Sequence, residues 1–144
     1  KLDSMRKLLG IVLLLLVYWG CQDITVGYLD VENAAYSPDS LVVRIHLDST
    51  GIDAQRVKTG QPWMSYQIEG VEGTKQIFFS IRNVITFDGD KDSMLKWLSV
   101  RNDGTFMIPL EHQVAPGRYL ISLDFENEGY KKFKDAVFTI IVKE

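Results

Sequence analysis

Two histidines, one cysteine, a run of alternating aspartates and a Trp–Tyr pair are the side chains through which this 144-residue chain could do chemistry. His46 falls on the polar side of an alternating segment, and His112 follows Pro109-Leu110-Glu111 just before a turn. A triad on either would need a Ser and an Asp brought in by folding. There is no Gly-x-Ser-x-Gly elbow and no phosphate-cradling glycine loop, so both imidazoles read as solvated or structural and no catalytic residue is assigned. Two histidines and one cysteine cannot complete a three-histidine or thiolate zinc site, and no cofactor is expected. Asp88-Gly89-Asp90-Lys91-Asp92 sets three carboxylates at alternate positions, a pattern that suits a hard cation such as calcium. The positions where an EF-hand loop needs Gly and Glu hold Ser93 and Ser99. The segment therefore reads as a solvated acidic turn feeding a helix N-terminus, with a looser calcium site on Asp88, Asp90 and Asp92 as the alternative. Pro62-Trp63-Met64-Ser65-Tyr66, flanked by Gln61 and Gln67, places two aromatic rings among amides. Sugar rings stack their apolar faces on such side chains while polar neighbours supply hydrogen bonds. Trp63 and Tyr66 are thus candidate ligand contacts, expected as a coplanar, exposed pair. The competing readings are a Trp packed in the core and a protein-docking edge.

The elements that must position these groups are mostly strands. Leu41–Leu47, Gln76–Ile85, Thr105–Ile108, Arg118–Glu126 and Ala136–Val142 are rich in β-branched and aromatic residues. Tyr119, Ile121, Leu123 and Phe125 alternate cleanly. In the second run Phe79, Ile81 and Asn83 share one side, and Phe78, Ser80, Arg82 and Val84 the other. Turns at Val71–Thr74, Asn102–Gly104, Ala115–Gly117 and Asn127–Gly129 separate the runs. One short helix is expected over Ser93–Leu98, capped by Asp92. The pattern predicts an all-β, antiparallel β-sandwich over residues 41–144. Residues 21–40 read as a tether, punctuated at Pro38-Asp39-Ser40.

The N-terminus differs in kind. Arg6 and Lys7 precede twelve unbroken apolar residues, Leu8–Trp19, and then Gly20 and Cys21. A basic region, an apolar region and a small residue at the junction are the parts of a secretory signal. As a helix the apolar run is about 18 Å long, too short for a hydrocarbon core of about 30 Å. Residues 1–20 are read as the signal peptide, with Met5 as the start and Lys1–Ser4 as an upstream artefact. Cys21, the only cysteine, stands where the lipobox of bacterial lipoproteins places its lipidated residue. That resemblance implies a thioether-linked diacylglycerol on Cys21 and an effectively permanent anchor. Gln22 rather than Asp follows, which implies an outer-membrane destination on a leaflet the sequence does not name. Cleavage before Cys21 shifts the formal net charge from −3 to −5, an acidic balance opposed to nucleic-acid binding.

Pro116-Gly117-Arg118-Tyr119, leading to Val137-Phe138-Thr139-Ile140-Ile141-Val142, resembles the last hairpin of bacterial immunoglobulin-like domains. With the anchor, Asn33, Tyr36, Asp39-Ser40-Leu41 and Ile68–Thr74, the chain resembles short lipoproteins of Bacteroidota found beside SusC/SusD-type uptake systems. The resemblance implies an immunoglobulin-like fold and a non-enzymatic, lipid-anchored binding or accessory role. The implied partners are an outer-membrane transporter or a glycan. The alternative is an adhesin or fimbria-type subunit acting through strand addition.

Overall fold

The computed structural model describes residues 1–17 and 27–144. Helix α1 (Leu2–Val17) occupies most of the expected signal segment, and no described helix is long and apolar enough to cross a membrane. Cys21 lies outside the described residues.

The body is built on a four-stranded sheet in the order β2 (Ser40–Arg44), β9 (Tyr130–Lys143), β8 (Gly117–Asn127) and β5 (Phe78–Thr86). A three-stranded sheet, β3 (Trp63–Met64), β7 (Phe106–Ile108) and β6 (Ser99–Val100), packs against it. A ribbon of β1 (Leu29–Asp30) and β4 (Glu72–Gly73) closes one end. The all-β expectation stands, but the sheet is mixed, because β2 runs parallel to β9, pairing Ser40 with Thr139 through Arg44 with Lys143. Local patterning carries no orientation for strands so far apart in sequence; long-range pairing decides it.

On β8, Tyr119, Ile121, Leu123 and Phe125 all face inward and are fully buried. The parity expected for β5 holds only to Ile81. The register shifts between Ile81 and Asn83, so Arg82 is the extra residue of a bulge. Beyond it Val84, expected on the outer side, is buried, while Asn83 pairs with Ser122 on the outer face. The Arg82 side chain bonds Asp124 at 2.9 Å and lies 4.0 Å from the ring centroid of exposed Phe133, covering part of that face. β9 bulges too, and Ala136 adopts φ 48°. Its N–H donates to Oγ of buried Ser122 at 3.0 Å. A Cβ in the left-handed region costs about 1–2 kcal/mol, part of which glycine's larger unfolded-state entropy offsets. Ala136→Gly is therefore expected to gain about 0.5–1 kcal/mol in urea unfolding, with an unchanged denaturant slope.

An aromatic trio joins the two larger sheets. Tyr36, Phe106 and Phe138 have ring centroids 4.8–5.2 Å apart. Tyr36 follows β1, so the segment expected to be a tether contributes Leu29, Val31, Ala34 and Tyr36 to the core. Its Asp, Asn and Ser residues mask four inward apolar positions. Two helices accompany the strands. α3 (Lys91–Trp97) is capped by Asp90, whose Oδ1 accepts from the Asp92 N–H at 3.1 Å, two residues before the expected cap. α2 (Ala54–Thr59) has no buried residue and hence no apolar period to announce it. It is anchored instead by Asp53, which is 1% exposed. The Asp53 carboxylate accepts from Arg44 Nη2, from Arg44 Nε at 2.8 Å and from the Asp48 N–H at 3.1 Å. The Arg44 hydrogen bonds hold that carboxyl below its usual range.

Candidate functional site

Trp63 and Tyr66 part company. Trp63 is 2% exposed, paired through β3 with Ile108, and the Arg56 guanidinium lies 4.2 Å from its ring centroid. A strand position facing the core leaves its ring no surface to offer, so the expectation of a coplanar exposed pair is overturned. Tyr66, just past β3, is 69% exposed.

Around Tyr66 the surface is concave. One hollow of about 450 Å³ is lined by Tyr66, Gln67, Glu69, Arg101 and Asp103, among others. A second, of about 520 Å³, is lined by Tyr28, Gln67, Glu72, Lys75, Gln76 and Asp103, among others. Gln67 and Asp103 line both, so the two hollows adjoin and together make up the candidate groove, with Tyr66 at one and half-exposed Tyr28 at the other. Each volume lies within the range of small-ligand sites, about 300–1,000 Å³.

The walls are held from beneath. The hairpin tip between β6 and β7 is closed by Gly104 N–H to Arg101 O and Arg101 N–H to Thr105 O, both 2.9 Å. Gly104 sits at φ 79°, and a Cβ there would come within 2.4 Å of Ile68. The Tyr36 hydroxyl donates to the Gly104 carbonyl from the core side, and burial pushes that phenol above its ordinary range. Asp103 Oδ1 accepts from the Thr105 N–H at 3.0 Å, a bond that holds its carboxyl below the usual range and keeps it charged at neutral pH. The Tyr28 wall is fixed by Asn127, whose Nδ2 donates to Tyr28 O at 2.8 Å and Thr74 O at 3.0 Å. The Tyr28 N–H in turn donates to Thr74 Oγ1 at 3.1 Å. The middle wall is tied by the Ala35–Glu69 bridge. A groove so held needs little ordering when a ligand arrives.

The acidic loop is committed elsewhere. Asp88 Oδ1 accepts from the Arg118 N–H at 2.8 Å, and the Asp90 carboxylate caps α3. A Cβ at Gly89 would lie 2.4 Å from the Tyr119 ring. Among the described residues no group of three His, Cys, Asp or Glu side chains is placed to hold a metal ion. The Asp88 and Asp90 carboxylates are thus engaged with the backbone of the fold.

His46 is exposed beyond the end of β2. His112 is 8% exposed, with Nδ1 accepting from the Val114 N–H at 3.3 Å. That bond fixes the neutral tautomer in which Nε2–H faces the Arg44 carbonyl at 3.2 Å. Among the described residues neither ring hydrogen-bonds a serine. Burial lowers the His112 pKa against the opposing pull of the Arg44 carbonyl. The unfolded chain therefore takes up a proton before the folded one as pH falls through about 6.5. Stability is expected to fall below that pH, by at most about 1.4 kcal/mol per pH unit. His112→Gln should flatten the dependence below about pH 6.5 in denaturant titrations; an unchanged slope would place the titration elsewhere.

The sequence singled out Tyr66 and its neighbour Gln67, and read Val71–Thr74 and Asn102–Gly104 only as turns. Tyr28, Lys75 and Arg101–Asp103 lie outside the strands and far apart along the chain; the pairing of β1 with β4 brings the first two together, and that of β6 with β7 forms the tip that carries the third.

No family model and no curated protein matches the chain. Among solved structures it is similar to a SusE-like, surface-located polysaccharide-binding protein from the Bacteroides thetaiotaomicron heparin utilisation locus. The TM-score is 0.51 at 13% identity, over 81% of this chain and 15% of that one. The β-rich fold is thus shared with one part of a much longer protein.

Proposed function

We propose that the chain is a non-enzymatic, glycan-binding accessory protein, anchored in the outer membrane through lipidated Cys21 and working beside a nutrient-uptake system. The observation that carries this reading is the pre-shaped groove in which exposed Tyr66 stands beside Gln67, Asp103 and Arg101. An aromatic face with amide, carboxylate and guanidinium groups around it offers both the stacking and the hydrogen bonds a sugar ring requires. The fold shared with part of a polysaccharide-binding protein supports the same reading. The body is an immunoglobulin-like sandwich in this proposal. In support, the Tyr119 hydroxyl, near the start of β8, donates to the carbonyl of Ala115, four residues upstream, at 2.6 Å; a tyrosine corner of this kind marks such sandwiches. The anchor confines the groove to the membrane surface and raises its effective concentration near membrane partners.

Electrophoresis of the full chain through polysaccharide-containing gels tests the binding. Retardation by at least one polysaccharide is expected, weakened about tenfold in Tyr66→Ala, a loss of about 1.4 kcal/mol. Because Tyr66 is exposed, that variant should keep the wild-type melting temperature. Radiolabelled palmitate should enter the wild type and not Cys21→Ala; equal labelling would refute the anchor. Self-polymerisation without any retardation would favour a fimbria-type subunit.

A further inference from the structure

Five ionised side chains line the groove, and their balance says what kind of glycan it takes. Glu72, Lys75 and Asp103 line one hollow, and Glu69, Arg101 and Asp103 the other, three carboxylates against two cations. Asp103 is the one charged residue common to both hollows. Its carboxylate is fixed by the Thr105 N–H on a hairpin tip that Tyr36 and Ile68 hold rigid. A chain of sulfate or uronate groups laid along such a surface would meet net negative charge at its centre, with two cations at most to pair with. The whole chain is acidic as well, with a formal net charge of −3, so the longer-range field also repels a polyanion. The same carboxylates suit neutral sugars, whose hydroxyls donate to them, while Gln67 and Gln76 can donate or accept.

We infer that the groove binds a neutral polysaccharide and selects against sulfated and uronic-acid glycans, with Tyr66 and Tyr28 as the stacking faces of two separate subsites. This inference rests on the glycan-binding reading of the same groove. Two subsites follow from two adjoining hollows that both include Gln67 and Asp103 in their lining but have different tyrosines. A ligand long enough to occupy both gains from each ring, so a single sugar should bind more weakly than an oligomer.

The test is isothermal titration of the full chain in detergent with two sets of probes. One set is neutral, with glucan, mannan, xylan and galactan oligosaccharides. The other is anionic, with heparin and polygalacturonate. Binding of at least one neutral oligosaccharide is expected, insensitive to salt, with heparin and polygalacturonate silent. Tyr66→Ala and Tyr28→Ala should each weaken it about tenfold, while both variants keep the wild-type melting temperature. Glu69→Lys/Glu72→Lys should gain a salt-sensitive affinity for heparin. Binding confined to the anionic probes, and lost at high salt, would overturn the inference while leaving the groove a glycan site. Neutral binding indifferent to Tyr28 but not to Tyr66 would overturn the second subsite. Silence toward both sets, in a protein that melts cooperatively, would overturn the glycan-binding reading itself.

Discussion

Replacing Phe138 by Ala is expected to remove about 3–5 kcal/mol of stability. The ring is 1% exposed and stacks on Phe106 at 5.2 Å and tilts against Tyr36 at 4.8 Å. It is the contact through which β9 of the large sheet, β7 of the small sheet and the segment after β1 hold one another. Truncation removes the transfer energy of a buried aromatic side chain and leaves a cavity whose walls belong to three separate elements. Those walls cannot all close in, and residual cavity volume adds to the loss. A single domain has only about 5–15 kcal/mol in total, so the variant should unfold at markedly lower urea with little change in slope. Phe138→Leu, which keeps most of the volume, should lose far less. A loss in Phe138→Ala below about 1 kcal/mol would mean that the trio does not join the sheets. Because Tyr36 also holds Gly104 beneath the groove, the damage should reach the groove's wall.

Gly89→Ala is the second large effect, expected at about 2–3 kcal/mol. The added methyl would sit 2.4 Å from the Tyr119 ring carbon and hydroxyl. Tyr119 cannot swing aside, since it is fully buried, donates to Ala115 O and accepts from the Asp90 N–H at 3.0 Å. The cost is therefore an overpacked core together with strained hydrogen bonds. The effect should shrink in a Tyr119→Leu background, because the two sites share the clash and their changes do not add. A thermal or urea cycle on the four proteins measures that coupling; full additivity would remove Tyr119 as the reason for this glycine. The loop's acidic spacing then needs no cation to explain it. Asp88 holds a strand end, Gly89 admits a ring and Asp90 caps a helix.

How far the sequence could be read depended on the range of the deciding interaction. The inward set on β8 follows from alternation alone, because the register shifts along that strand put their extra residues on β5 and β9 rather than on β8 itself. Val84 did not follow, since the bulge at Arg82 is fixed by pairing with β8 rather than by anything local. Tyr36 was hidden because its neighbours are turn residues, while its partners, Phe106 and Phe138, lie about a hundred residues or less down the chain. Trp63 and Tyr66 looked equivalent in a loop-like stretch. A two-residue strand, invisible to periodicity, puts one ring in the core and leaves the other outside. The groove is illegible for the same reason: it is a junction of turns, and turns announce their own geometry but not their neighbours.

The parallel pair of β2 and β9 has a mechanical consequence. Its ladder runs from Asp39, whose carbonyl receives the Thr139 N–H, to Ile45, whose N–H reaches the Lys143 carbonyl, both at 2.9 Å. Tension drawing the N-terminal end of β2 and the C-terminal end of β9 in opposite directions would first peel the two-residue β1–β4 ribbon. It would then meet the β2–β9 ladder in shear, with every rung strained at once instead of one after another. A body arranged this way should resist tension between those two ends better than one whose rungs part in turn.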